Sequence, residues 1–421
     1  RKTATHIENI YGKTPILPLE HFEKDGIKIK LFGKFENVQS MYTFKVRGAE
    51  WFTYNLVEEY SNKTGRFRNK KLKETPVLIT ASAGNHAQGV ALAANRYGLK
   101  SVVFMPKSTP NAKRRRVEEL GAKIVLVDGF FDDALDEAKK YKKEQENAVF
   151  VPPYEDPQIM EGQATIGVEI LSQLCSYGDY RKLADFDWLD WETPDVILCG
   201  LGGGGLSSGI GSVIKEYNEK SGKNIKVIGV QSDAADSMYQ TIKNNTLQES
   251  TAMDAITLAD GIAVKKASER MSHTVKKYVN QIVLVSEESI KKSIAYIHQH
   301  PDIHGTVYGT TERETPSAPQ RKLPGDEPEV YRKRELNRVE GAGAAPYAAV
   351  VFGDNHNEIN WKEIAGDKKE INVVCVLTGA NISSSKYKEF GQYVKRPPVI
   401  NEKYFSKLLR VFRQHVFTST T

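Results

Sequence analysis

The chain has 421 residues, of which 40% are hydrophobic and 27% are charged, and it is therefore long and apolar enough to bury a large core. Its formal net charge of +6 is small for this length and is spread along the sequence, so we expect no nucleic-acid partner. It contains no apolar run of about 18 residues and no signal-peptide core, and we expect a cytoplasmic protein without membrane contact. Three cysteines, Cys175, Cys199 and Cys375, lack metal or redox spacing, which suits a reducing compartment.

Apolar segments that are typical of strands alternate with stretches that are typical of helices along most of the chain. This alternation predicts an α/β fold with mostly parallel sheets and helices on both faces. At about 100 to 200 residues per domain the length predicts two or three domains, and two α/β domains would place a ligand in the cleft between them. The predicted strands begin at Val77, Ser101, Lys123, Val196, Ile225, Ile282 and Ile371.

Three short segments carry most of the information about function. The first is TFKVRGA at residues 43 to 49, which offers the amine of Lys45 two residues before Arg47. A lysine is usually a solvated surface charge, so Lys45 is a candidate functional residue only in combination with the two segments that follow.

The second segment is TASAGNHAQGVA at residues 80 to 91, where a strand, a small polar loop and a helix rich in small residues follow one another. Ser82, Asn85 and the free N–H groups of this loop could hold an anion such as a carboxylate. The alternative is that Asn85 and His86 only cap the helix.

The third segment is GLGGGGLSSG at residues 200 to 209, in which four glycines follow the apolar run DVILC and precede Leu206. Such a loop lets backbone N–H groups converge at a helix start, where a phosphate can bind. A nucleotide is disfavoured, because the loop lacks the Lys-Ser/Thr pair of a P-loop and Gln231 ends the next strand in place of an acid. Alternatively, the glycines only permit close helix packing.

Together these segments resemble pyridoxal-phosphate (PLP) enzymes of fold type II, in the threonine/serine dehydratase branch. SAGNHAQGVA is the most specific match, and further matches follow in the order of the family over roughly residues 8 to 385. They are EDPQIMEGQATIGVEI (155 to 170), TLADGIAV (257 to 264), VEGAGAAPYAAV (339 to 350) and LTGANIS (377 to 383).

The resemblance implies a two-domain fold like that of the tryptophan synthase β-chain, with PLP as the cofactor. Residues 1–51 and 151–421 would form the large PLP-binding domain, and residues 52–150 a small domain inserted in it. Because only 40 residues follow Asn381, we expect no C-terminal regulatory domain. As in related enzymes, a homo-oligomer is expected, either a dimer or a tetramer.

The family pattern assigns roles to individual residues of this chain. Lys45 would bind PLP as a Schiff base and act as the catalytic base, and the hydroxyl of Thr378 would stand beside the pyridine nitrogen. The residues that would contact the cofactor are Phe44, Lys45, Asn85, Gly202, Gly203, Gly204, Gly205, Leu206 and Thr378. The loop that would receive the substrate consists of Ser82, Ala83, Gly84, Asn85 and His86.

The implied reaction is the dehydration and deamination of a β-hydroxy amino acid. The first expected substrate is L-threonine, which gives 2-oxobutanoate and ammonia, and the second is L-serine, which gives pyruvate. Phenylserine and hydroxyaspartate are alternative substrates. An amino-acid racemase is disfavoured, because Ala83 lacks the hydroxyl that serves as second base in the serine racemases that this chain resembles. A PLP-binding homologue without turnover is a third reading, which Ala380, Gln231 and the insertions leave open.

Other features receive simpler interpretations. Many family members bind a cation after the strand that follows the glycine loop, but GVQSDAADS at 229 to 237 has Gln231 and Ser237 in place of two acids, so we expect no metal. The run KRRR at 113 to 116 is interpreted as a solvated helix face. Segments without a family counterpart, read as exposed insertions, are 176 to 193 and 306 to 338, and an amphipathic helix is predicted at 403 to 417.

Overall fold

A computed structural model describes residues 2–64, 75–180, 193–251, 257–299, 306–308, 333–335, 338–353 and 359–382. Two mostly parallel sheets, one of six strands and one of four, are covered by helices. The predicted α/β fold class is therefore confirmed.

The six-stranded sheet has the strand order β1-β2-β12-β7-β8-β9. All neighbouring strands are parallel except β1 and β2, which form a hairpin with a two-residue turn at Asp25 and Gly26. Both turn residues have positive φ, which is what an Asp-Gly hairpin turn requires. The strands are β1 Ile16–Lys24, β2 Ile27–Lys34, β7 Val196–Gly200, β8 Lys226–Ser232, β9 Gln281–Val285 and β12 Glu370–Val376.

The four-stranded sheet has the order β5-β4-β3-β6, and its strands are all parallel. They are β3 Val77–Ala81, β4 Lys100–Pro106, β5 Lys123–Val127 and β6 Ala148–Phe150. Since parallel strands place their carboxyl ends at one edge, the chain leaves β3 and β6 on the same side of this sheet. That edge carries the polar loop of residues 82 to 85.

Twelve α-helices occur in the described parts of the chain. They are α1 Lys2–Tyr11, α2 Lys45–Thr64, α3 Asn85–Arg96, α4 Asn111–Glu119, α5 Phe131–Glu144, α6 Pro157–Tyr180, α7 Gly205–Ser221, α8 Ser237–Asn244, α9 Glu269–Tyr278, α10 Glu287–Gln299, α11 Gly341–Val351 and α12 Trp361–Ala365. None of these helices has an apolar stretch long enough to cross a membrane.

Strand β7 shows why the central strands are apolar throughout. Val196 and Leu198 pack in a cluster with α10 and α11, whereas Ile197 and Cys199 pack in a cluster with α6 and α7. Helices thus cover both faces of the sheet, so every residue of the strand is buried. The glycine loop leaves this strand at its carboxyl end.

A buried ionic network fixes the start of α2. The Arg47 guanidinium donates to Glu36 at 2.8 and 2.9 Å and to Glu169 at 2.5 and 3.1 Å. Lys34 donates to Glu169 at 2.6 Å, and all four side chains are at most 5% exposed. This network joins α2 to β2 and α6, and so holds Lys45 in register with the large sheet.

The segments that were interpreted as insertions lie largely outside the described residues. Within 176 to 193, residues 176–180 continue α6. Within 306 to 338, β10 Thr306–Tyr308 and β11 Lys333–Glu335 form a small antiparallel ladder, which the sequence did not predict. The amphipathic helix predicted at 403 to 417 lies outside the described residues.

Candidate active site

Lys45 is the first residue of α2 and lies partly buried between the two sheets. Its Nζ donates to the carbonyl oxygen of Pro153 at 2.9 Å and stands 5.2 Å from the centre of the Phe44 ring. Burial lowers the pKa of the Lys45 amine to about 8, against the opposing effect of the Glu340 carboxylate. About half of the amine is therefore neutral near pH 8, and it can accept a proton under mild conditions.

The predicted strand, glycine loop and helix start are all present between β7 and α7. Gly204 has a φ of 89°, in the left-handed region that favours glycine. A Cβ on Gly203 would lie 2.4 Å from the Tyr154 ring, so this ring packs directly on the loop backbone. Since Tyr154 follows Pro153, one short segment connects the glycine loop with the Lys45 amine.

The first turn of α7 fits a phosphate. The N–H groups of a first turn have no partners within their own helix, and the helix dipole makes this end positive. The buried hydroxyl of Ser208 in this turn has no hydrogen-bond partner within the described part of the chain. Glycines, free donors and an unpaired hydroxyl therefore suit the phosphate of PLP, and Gly202 to Leu206 would hold it.

The loop of residues 82 to 86 has the open, donor-rich form expected for an anion site. Ser82 Oγ accepts the Gly84 N–H at 3.2 Å, and a Cβ on Gly84 would meet nothing within 4 Å. Gly84 is the N-cap of α3, so Asn85 does not cap the helix through its side chain. Ala83 lies in the same loop without a hydroxyl.

Asn85 is instead bound by residues from the six-stranded sheet. Its Nδ2 donates to Glu340 Oε1 at 2.8 Å, and its Oδ1 accepts from Asn381 Nδ2 at 2.6 Å. The Asn381 backbone N–H donates to Glu340 Oε2 at 3.0 Å. Burial, reinforced by the Asp260 carboxylate, raises the pKa of Glu340 to about 7 in spite of these hydrogen bonds. Asn85 thus has a fixed orientation beside a carboxyl group that titrates near neutrality.

His86 is buried and neutral. Burial, reinforced by the positive charge of Lys45, lowers the pKa of His86 to about 3. The neutral ring makes a hydrogen bond of 3.0 Å between Nε2 and the carbonyl oxygen of Val151. With its proton on Nε2, His86 holds the loop against the chain that leaves β6 and carries no charge.

Phe44 and Thr378 come together through the backbone. The Phe44 N–H donates to the Thr378 carbonyl at 3.2 Å, and Thr43 forms a bridge with Gly379. Thr378 is 3% exposed and lies two residues after the end of β12. The structure therefore brings Lys45, Phe44, Asn85, His86 and Thr378 to one region, with the glycine loop reached through Tyr154.

The segment that carries cation ligands in many family members does not fit a divalent cation here. Gln231 Nε2 donates to the carbonyl of Ala235 at 3.1 Å, and Ser237 Oγ donates to the carbonyl of Val264 at 2.6 Å. Both side chains direct donor groups at oxygens that a cation would need. Among the described residues, no three His, Cys, Asp or Glu side chains cluster as metal ligands.

In the basic run at 113 to 116, Arg115 and Arg116 are exposed, as expected for a solvated helix face, but two members of the run also make contacts outside α4. Lys113 Nζ lies 3.3 Å from Asp260, and Arg116 Nη1 donates to Asn381 Oδ1 at 2.8 Å. Both contacts reach from α4 to loops of the six-stranded sheet. The sequence could not separate them from Arg115, because their partners are more than 140 residues away.

Tyr154 and Asn381 were not singled out as site residues from the sequence. The only sequence signals were their positions, directly before one family segment and inside another. Glu340 lies in the family segment at 339 to 350 and accepts a hydrogen bond from Asn85.

Known proteins show what this arrangement is similar to. Residues 7–308 match the model of the family described as "Pyridoxal-phosphate dependent enzyme". An L-threonine ammonia-lyase from Geobacter sulfurreducens is 34% identical over 373 residues, which are 88% of this chain and 71% of that protein. One from Thermotoga maritima is 37% identical over 270 residues, 64% of this chain and 58% of that protein.

Among solved structures, the processed form of threonine deaminase isoform 2 from Solanum lycopersicum superposes with a TM-score of 0.63. It is 26% identical, and the match covers 93% of this chain and 91% of that one. The sequence match, the shared fold and a site that fits the cofactor agree with one another. This chain belongs to the family of pyridoxal-phosphate dependent enzymes.

Proposed function

We propose that this enzyme dehydrates and deaminates a β-hydroxy amino acid, with L-threonine giving 2-oxobutanoate and ammonia, and L-serine as second substrate. The observation that carries the proposal is the Lys45 amine, which has a pKa of about 8 and makes a hydrogen bond to the carbonyl of Pro153. Bound PLP supplies the electron sink that makes the substrate Cα proton acidic. Lys45 in its neutral form removes that proton.

The other residues of the site orient the reactants. The first turn of α7 holds the cofactor phosphate, and Asn85 with Thr378 contacts the ring. The N–H groups of residues 83 to 86, with Ser82, bind the substrate carboxylate. His86 stays neutral and keeps this loop in place.

The structure favours elimination over racemisation. A racemase needs a second acid or base on the face of Cα opposite to Lys45. The loop offers Ala83 at the position that carries a serine in racemases, and the buried His86 binds the Val151 carbonyl. Racemisation is therefore the second candidate function, and the chiral analysis described next tests it.

The test is release of 2-oxo acid by PLP-loaded enzyme from L-threonine, L-serine and phenylserine, together with chiral analysis of the remaining substrate. Lys45→Ala is the loss-of-function variant, and Lys142→Ala on the exposed side of α5 is its matched control. We expect turnover of L-threonine that only Lys45→Ala abolishes. Loss of chirality without 2-oxo acid, or cofactor binding without any product, would refute the dehydratase.

The remaining expectations concern the whole molecule. We propose that residues 52–150 form a small domain within a large one, although α2 runs across residue 51. We also propose a cytoplasmic dimer or tetramer that acts on small amino acids. Sedimentation of the purified enzyme tests the oligomer, and fractionation of cells that express it tests the location.

A further inference from the structure

We propose that Arg116 is a positioning residue, which orients Asn85 through Asn381 at the contact between α4 and the loops of the six-stranded sheet. This inference rests on the proposed function, since it assigns a role in that reaction to a residue outside the site. Arg116 lies in α4, is exposed, and is far from Lys45 in the sequence.

A continuous chain of hydrogen bonds leads from Arg116 into the site. Arg116 Nη1 donates to Asn381 Oδ1 at 2.8 Å, and Asn381 Nδ2 donates to Asn85 Oδ1 at 2.6 Å. Asn85 Nδ2 then donates to Glu340 Oε1 at 2.8 Å. Arg116 and Asn85 belong to helices beside the four-stranded sheet, whereas Asn381 and Glu340 follow and face the six-stranded sheet. Each of the three bonds therefore crosses between the two parts.

The donor and acceptor groups in this series of hydrogen bonds determine which way each amide side chain faces. A guanidinium only donates, so it selects the oxygen of the Asn381 amide and turns the NH2 group toward Asn85. The carbonyl of Met41 accepts from the same NH2 group at 3.0 Å and favours the same orientation. Asn85 then has its oxygen occupied and its NH2 group directed at Glu340. These hydrogen bonds define the orientation of the Asn85 amide.

A second contact places α4 in the same position. Lys113 Nζ lies 3.3 Å from Asp260, in the loop whose Gly261 would bring a Cβ within 3.5 Å of Glu340 Oε1. This ion pair is exposed and contributes little by itself. With Arg116 it makes one face of α4 a contact surface between the two sheets, and the neighbouring Arg115 side chain has no such partner among the described residues.

The experiment compares Arg116→Met with Arg115→Met, which removes the same charge from the same helix. Each variant is measured for kcat/KM with L-threonine, for the PLP dissociation constant, for melting temperature, and for hydrogen exchange of the amides of residues 84 to 90 in the cofactor-free protein. Arg116→Met removes one charged hydrogen bond at an exposed position, and we therefore expect kcat/KM to fall about three- to tenfold.

We expect Arg116→Met also to weaken PLP binding and to speed exchange at residues 84 to 90, while its melting temperature equals that of Arg115→Met. Equal exchange and equal PLP affinity in the two variants would overturn the inference. If the wild type does not turn over L-threonine, the proposed function fails, but the exchange and affinity measurements still decide the role of Arg116.

Discussion

Replacing Arg47 by methionine should destabilise the protein strongly, although Arg47 does not contact the cleft in any hydrogen bond described above. Methionine matches the length of the side chain and removes its charge. The guanidinium makes five side-chain hydrogen bonds, two to Glu36, two to Glu169 and one to Thr165. After the substitution, two buried carboxylates share the single positive charge of Lys34.

The expected cost follows from this burial. Arg47 and Glu36 are completely buried, and solvent cannot enter to screen the unpaired carboxylate. Removing one partner of a buried ion pair typically costs about 3 to 5 kcal/mol, and the double partnership of Arg47 places the loss at the upper end. Because the arginine and its partners hold the start of α2, the affinity for PLP at Lys45 should fall as well.

The assay is equilibrium urea unfolding of the cofactor-free protein, followed by circular dichroism. Arg47→Met is compared with the double variant Arg47→Met/Glu36→Gln, in which one uncompensated charge is gone. We expect the double variant to regain part of the lost stability. A loss below about 1 kcal/mol, or a double variant no more stable than the single one, would refute the assigned role of this network.

Three further predictions concern the site. The pKa of Glu340 is about 7 in the folded protein and near 4.5 in the unfolded chain. Its contribution to the free energy of unfolding, ~3 kcal/mol, is therefore complete below pH 4.5 and is lost as the pH rises through 7. In Glu340→Gln, the melting temperature of the cofactor-free protein should depend less on pH across this window. EDTA should leave the activity of the wild type unchanged. The Gln231→Glu variant should have a lower melting temperature than the wild type in EDTA, and Mg²⁺ or Ca²⁺ should restore the melting temperature of the variant. Gly203→Ala should weaken PLP binding at least tenfold, since its methyl group overlaps the Tyr154 ring, and adding Tyr154→Ala should restore part of the affinity, as measured by cofactor fluorescence. Unchanged affinity in Gly203→Ala would contradict this packing.

The sequence was most informative where chemistry depends on the local backbone. The run DVILC predicted a strand before the glycines, and the structure has β7 followed by a left-handed Gly204 at the start of α7. Loop, strand and helix start are adjacent in the chain, so no distant contact is needed to form them. The position of Lys45 at a helix start between the sheets depends instead on the buried Arg47 network.

Contacts between distant segments could not be predicted in the same way. Arg115 and Arg116 have the same chemistry, and only the approach of the six-stranded sheet distinguishes them. The β1–β2 hairpin was missed for another reason. Its Asp25-Gly26 turn is a recognisable hairpin signal, but a hairpin does not belong to the alternation of strands and helices from which the fold was predicted.

The strand order of the large sheet has a consequence for biosynthesis. Strand β12 lies between β2 and β7, and its Glu370 pairs with Lys28, more than 300 residues earlier. The four-stranded sheet uses only residues 77 to 150, and it can form while the ribosome is still translating. Until β12 has been synthesised, no strand links the β1–β2 hairpin to β7. Thr378 and Asn381, which follow β12 in the chain, cannot yet take their places near Lys45. Completion of the catalytic region is therefore one of the last events in the folding of this chain.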